Sequence, residues 1–161
     1  MRNIYSKYLN FMAVILLAAC ASISCNENRV HRKVDDNFPE NRWAKNDVRS
    51  YDFKIASDAA YDLSIVFSHV YETPLEHIPI TVILSAPSME PQTFNLIMHL
   101  RDGSGNQVSD CAGDYCDFMQ EVFKSRNLPA GDYKVSIANT FDYDFLPNVL
   151  GLGIQVDKSG K

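Results

Sequence analysis

Tyr61-Asp62-Leu63-Ser64-Ile65-Val66-Phe67-Ser68 places an apolar side chain at every second position. That period puts the apolar side chains on one face of a strand and leaves the other face to water. The same alternation recurs on both sides of it. Tyr51, Phe53 and Ile55 alternate with Asp52 and Lys54, and Ile80, Val82 and Leu84 follow Pro79. Phe94, Leu96, Met98 and Leu100 alternate with polar residues that include Asn95 and His99. Tyr133, Val135 and Ile137 flank Lys134 and Ser136, and Leu152, Ile154 and Val156 flank Gly153 and Gln155. Turn signals separate these runs: Thr73-Pro74, Ala86-Pro87, Asp102-Gly103-Ser104-Gly105-Asn106 and Pro129-Ala130-Gly131. Residues 117–126 read equally as a strand or a short helix. Strands spaced by turns, each with one apolar face, predict an all-β fold: a single antiparallel β-sandwich, jelly-roll-like or Ig-like.

The N-terminus has a different character. Arg2 and Lys7 precede a nearly unbroken apolar run from Leu9 to Ala19. The run is about half the ~20 residues a spanning helix needs, so it reads as the core of a signal peptide. It leads to Leu17-Ala18-Ala19-Cys20 and then Ser22-Ile23-Ser24-Cys25, small residues before a cysteine, as at bacterial lipoprotein cleavage sites. Cys20 has the better local context, but the chain turns polar directly after Cys25. Lipidation at Cys25 also discards Cys20 and leaves Cys111 and Cys116 as a disulfide pair in an oxidising compartment. We therefore expect a signal peptide over residues 1–24, a diacylglycerol- and palmitate-type anchor on Cys25 (alternatively Cys20), and a polar tether over 25–42. The β-sandwich should fill 43–158, with a short tail at 159–161.

The 137 residues from Cys25 onward suffice for one hydrophobic core. Losing Arg2 and Lys7 from the chain's 15 Lys and Arg leaves 13 against 20 acidic residues, a net charge of −7. No basic run survives, which argues against a nucleic-acid partner and against electrostatic docking on anionic lipid. The lipid anchor itself is expected to hold the chain to an envelope membrane, the outer rather than the inner.

Catalytic patterns are missing. No Gly-x-Ser-x-Gly elbow occurs, and His31, His69, His77 and His99 lack metal-site spacing, so neither an enzyme, a metal nor a further cofactor is expected. His99 reads as a solvated surface residue. Asp110, Asp114 and Asp117 surround the Cys111–Cys116 loop without the spacing of a calcium loop. Gly103-Ser104-Gly105 reads as a hairpin turn. One candidate surface stands out, Phe141-Asp142-Tyr143-Asp144-Phe145, where aromatics alternate with carboxylates. Such a run can anchor a protein interface, stack on a glycan, or continue the preceding strand into the core. Phase with Tyr133, Val135 and Ile137 predicts that Phe141 points inward.

Several short motifs, in order, resemble one family. Cys25-Asn26-Glu27-Asn28-Arg29-Val30-His31 is similar to the Cys-x-x-Asn-Arg-Val-aromatic opening of the gliding-motility lipoproteins (GldH type) of Bacteroidetes. Trp43-x-Lys45-Asn46-Asp47 with Tyr51-x-Phe53-x-Ile55, then Leu128-Pro129-x-Gly131-x-Tyr133, then Val149-Leu150-Gly151-Leu152-x-Ile154, resemble further blocks of that family. The resemblance implies a lipoprotein of the envelope machinery linked to gliding and type IX secretion, working with other envelope proteins, and supports Cys25 as the anchor. Two features depart from the pattern: the Asn139–Pro147 stretch and the Cys111–Cys116 loop.

Overall fold

The computed structural model describes residues 28–160. The period-two segments form strands β3 (Arg49–Ile55), β4 (Ala59–Val70), β5 (His77–Ala86), β6 (Met89–His99), β9 (Gly131–Asn139) and β11 (Val149–Lys158). Five more complete the set: β1 (Arg29–Asp35), β2 (Trp43–Ala44), β7 (Asp110–Ala112), β8 (Tyr115–Leu128) and β10 (Phe145–Leu146). One sheet runs β1-β11-β4-β8-β7, a second β3-β9-β5-β6, and β10 pairs with β2 in a small third. Every pairing is antiparallel. The described residues hold no α-helix; their one helical piece is a 3-10 turn at Pro39–Asn41.

The apolar faces meet in a core that includes Tyr51, Ile65, Phe67, Ile80, Val82, Val135, Ile137, Leu152 and Ile154. These are the side chains that alternation turned inward, and burying them against the facing sheet supplies the main driving force for the fold. Polar ties are few and specific. The Tyr51 hydroxyl crosses the core to donate to the Leu152 carbonyl at 2.7 Å. Burial, with Asp35 nearby, pushes its pKa up and keeps that proton in place. Trp43, fully buried, donates from its indole to the Asp47 carbonyl at 2.7 Å.

The sequence boundaries need correction at the N-terminus. The stretch 25–42, expected as a tether, contributes β1 from Arg29, paired with β11 from Arg29↔Asp157 to Asp35↔Leu152. Phe38 is also buried, beneath the Arg49 guanidinium at 4.3 Å. An edge strand like this is held by backbone pairing more than by apolar side chains, so hydrophobic periodicity does not reveal it. Its close approach depends on Gly153, where a Cβ would collide with the Lys33 carbonyl and come within 2.6 Å of Val34 Cα. At the other end, Ser159 is still tied to the domain, its N–H donating to Ala60 and its hydroxyl to Asp62.

The ambiguous stretch 117–126 is strand, within β8. Its register against β4 slips between the Tyr61 and Leu63 pairs and again between the Leu63 and Ser64 pairs. Each slip inserts a residue into β8 and flips which face the next side chain occupies. Around 102–106 the chain makes the expected turn: the Asp102 carboxylate accepts from the Ser104 and Asn106 N–H groups, both at 2.9 Å. Those bonds, led by Asn106, hold its pKa below the ordinary aspartate range.

Candidate functional site

The Phe141–Phe145 run does not continue β9. That strand ends at Asn139, whose buried amide donates to the Trp43 and Ala44 carbonyls, both at 3.1 Å, and pins the strand end to β2. The chain then leaves the sheet, with Thr140 N–H donating to Pro79, and returns as β10, where Phe145 pairs with Ala44 and Leu146 with Trp43. The Lys45 N–H donates to Asp144, and Val70 N–H to Asn148, which adopts a left-handed backbone conformation (φ 62°). The loop is therefore fastened to its neighbours on both sides of Phe141–Tyr143, at Thr140 and from Asp144 to Asn148.

This fastening displays the aromatics in three ways. Phe141 is partly buried against the core, as phase predicted. Tyr143 is 71% exposed, with its ring centroid 5.3 Å from that of Phe141. Phe145 lies at the surface beneath the Arg42 guanidinium, 4.5 Å from its centroid, while Arg42 pairs with Glu40 at 2.6 Å. Leu75, Phe141, Tyr143, Asp144, Phe145 and Pro147 line a groove of about 400 Å³. Asp144 and Phe145 are shared with a second hollow of about 550 Å³, whose wall includes Glu40, Arg42 and Arg49. Phe145 is thus a ridge between an apolar groove and a charged one. Asp142 is exposed beside the apolar groove and not among its lining residues.

The position of this surface follows from β11. Its first residue, Val149, adjoins the aromatic loop and pairs with His69, while its last, Lys158, pairs with Tyr61. Arg29, where β1 begins, faces Asp157. The loop therefore sits at the end of the sandwich opposite to the entry of the N-terminal segment.

A larger open hollow, about 610 Å³, lies over Asp52, Lys54, Asp132 and Lys134 beside the β5–β6 hairpin. Its aromatics, Phe53 and Tyr133, are 6% and 3% exposed and stacked on each other at 5.3 Å, so they are spent on the core. It offers a partner less than the Tyr143 groove does.

Of the remaining sequence candidates, Cys20 and Cys25 lie outside the described residues. Cys111 and Cys116 face each other across the β7–β8 hairpin and are joined by a disulfide. Asp110 sits opposite Asp117, and Asp117 accepts from the Ser68 hydroxyl at 2.5 Å. Among the described residues no group of three or more His, Cys, Asp and Glu converges on one point. His69 is fully buried. Its Nδ1 is 2.9 Å from the Val70 carbonyl and must donate, since a carbonyl only accepts, so neutral Nε2 accepts from the Ser109 hydroxyl at 2.7 Å. Sequence reasoning missed one arrangement: His77 and His99 are direct partners across β5 and β6. Opposed strand positions were the available signal, but it required knowing the register.

Comparison with known proteins completes the picture. No curated protein is similar in sequence. One chain in a solved structure, titled "Structure of infectious bursal disease virus Gx strain", is 11% identical with a TM-score of 0.21. The alignment covers 83% of this chain and 33% of the viral one, so this chain spans about a third of that protein's length. The family model described as "GldH lipoprotein" matches residues 31–156, from β1 to the end of β11's apolar face, and the chain belongs to that family.

Proposed function

We propose that this chain is a lipid-anchored accessory subunit of gliding-motility or type IX secretion-associated machinery in the cell envelope, holding a protein partner through the Phe141–Pro147 loop. One observation carries the reading: Tyr143 stands 71% exposed beside an apolar groove, on a loop whose backbone is tied to β2 and β4. A rigid exposed aromatic loses little freedom on binding, which is why Tyr recurs among the residues that dominate interface energetics. Lining that is aromatic and aliphatic, with Asp144 as its one carboxylate, suits a peptide side chain better than a sugar, which needs several hydroxyl partners. The role is binding, not catalysis, and the membrane in question is the outer one.

The test is photo-crosslinking in intact cells from a probe at position 143, with position 54 as a control at the other hollow. The expected result is an envelope-protein adduct from 143 only, abolished by neighbouring Phe145→Ala. Tyr143→Ala should keep its stability within about 0.5 kcal/mol of the parent, whereas Phe141→Ala should cost about 2 kcal/mol or more. Equal adducts from both positions would reject the loop as the docking site. Saturable polysaccharide binding that Tyr143→Ala removes would replace the protein partner with a glycan.

A further inference from the structure

His77 and His99 form a cross-strand pair in which the two Nδ1 atoms are 3.0 Å apart. The flanking bond from Leu100 N–H to the Glu76 carbonyl, at 2.9 Å, makes this a non-hydrogen-bonded pair, the kind whose side chains stand closest together. Both rings are exposed, their centroids 4.8 Å apart and their planes inclined at 71°. The backbone beneath them is fixed: Ile78, Met98 and Leu100 are each at most 1% exposed.

We propose that His77 and His99 form a solvent-open binding site for a divalent transition-metal ion of the copper, nickel or zinc type. Two nitrogens bound to one ion at 2.0–2.1 Å, with an angle between tetrahedral and square, lie about 2.8–3.4 Å apart. The observed 3.0 Å falls within that span, so chelation asks the two exposed rings only to turn their lone pairs toward one ion. Without a metal the contact holds only one proton between two nitrogens. With one, both lone pairs are used. Arg101, two residues beyond His99, carries a charge that opposes a cation, but its guanidinium is engaged with the Gly105 and Thr73 carbonyls. Two protein ligands leave the other positions to water or to a group brought by a partner, and the choice of imidazole donors favours Cu²⁺ within the divalent series. The pair lies at the same end of the sandwich as the Tyr143 groove, since Leu75, two residues before His77, lines that groove.

The experiment titrates the full-length chain, in detergent micelles, with Cu²⁺ alone and reads electron paramagnetic resonance. One tightly held ion with coupling to two nitrogens is expected, weakened about tenfold or more in His77→Ala and in His99→Ala. His31→Ala should bind as the parent does. Both substituted positions are exposed, and far-ultraviolet circular dichroism checks that each variant keeps its strands; His77→Asn and His99→Asn stand in for any that does not. Zn²⁺ added to the parent should shift the ring resonances of His77 and His99 together. A double variant that binds Cu²⁺ as tightly and with the same spectrum as the parent would overturn the assignment, and so would a parent chain that binds none.

Discussion

A single histidine carries the clearest solution signature. Burial lowers the His69 pKa below its ordinary value of about 6.5, and the Val70 carbonyl and Asp117 only partly offset this. The unfolded chain therefore binds a proton at a pH where the folded chain does not. Stability is at its full value above about pH 6.5 and declines as the pH falls through the folded-state pKa. Charging the ring would also turn Nε2 from acceptor to donor, forcing the Ser109 hydroxyl to rotate. We expect the melting temperature to drop between pH 7 and pH 5, less steeply in His69→Gln; identical slopes would place the sensitivity elsewhere. None of this was legible beforehand, because burial of a histidine at a strand end depends on what the 101–112 segment does. The aromatics divide more evenly. Phase carried Phe141 correctly because it lies only two residues past the end of β9. It said nothing of Tyr143 or Phe145, since the chain bends between them and re-enters as β10.

At the level of elements, the strands with a regular alternation were readable, including β3 and β6 at the edges of their sheet, and β1 and β8 were not. Leu63, Ile65 and Phe67 announce β4 because they alternate with Asp62 and Ser64, although Val66 and Ser68 on the other face are buried as well. β1 has no such contrast, and β8 loses its contrast at two bulges. The β1–β11 pairing rests instead on a missing side chain. Gly153→Ala should push β1 away from its partner and cost about 2–3 kcal/mol, a larger penalty than an alanine in an open strand position. Amide exchange should then quicken in Arg29–Asp35 while β9 stays protected. An alanine variant with unchanged exchange in β1 would show that the strand can shift to admit a methyl group. The β7–β8 disulfide closes a much smaller loop, and its contribution through the unfolded chain is about 2 kcal/mol.

For the molecule as a whole, a fatty-acid analogue should label the protein in cells through Cys25. Labelling that persists in Cys25→Ala but disappears in Cys20→Ala would move the anchor, and labelling that survives loss of both would remove it. With Cys25 as the anchor, only Asn26, Glu27 and Asn28 separate it from β1, a span of at most about 15 Å. The sandwich then sits against the bilayer, with its aromatic loop held out by the ten residues of β11, roughly 30 Å. This arrangement has a mechanical meaning. A partner pulling on the loop would load β11 from its first residue, while an anchor at Cys25 would restrain β1 from its own first residue, and the two strands are antiparallel neighbours. Tension therefore runs along both strands in opposite senses, across hydrogen bonds that lie perpendicular to it. All the pairs from Arg29↔Asp157 to Asp35↔Leu152 would have to yield together, in shear, before the anchor could be torn from the domain.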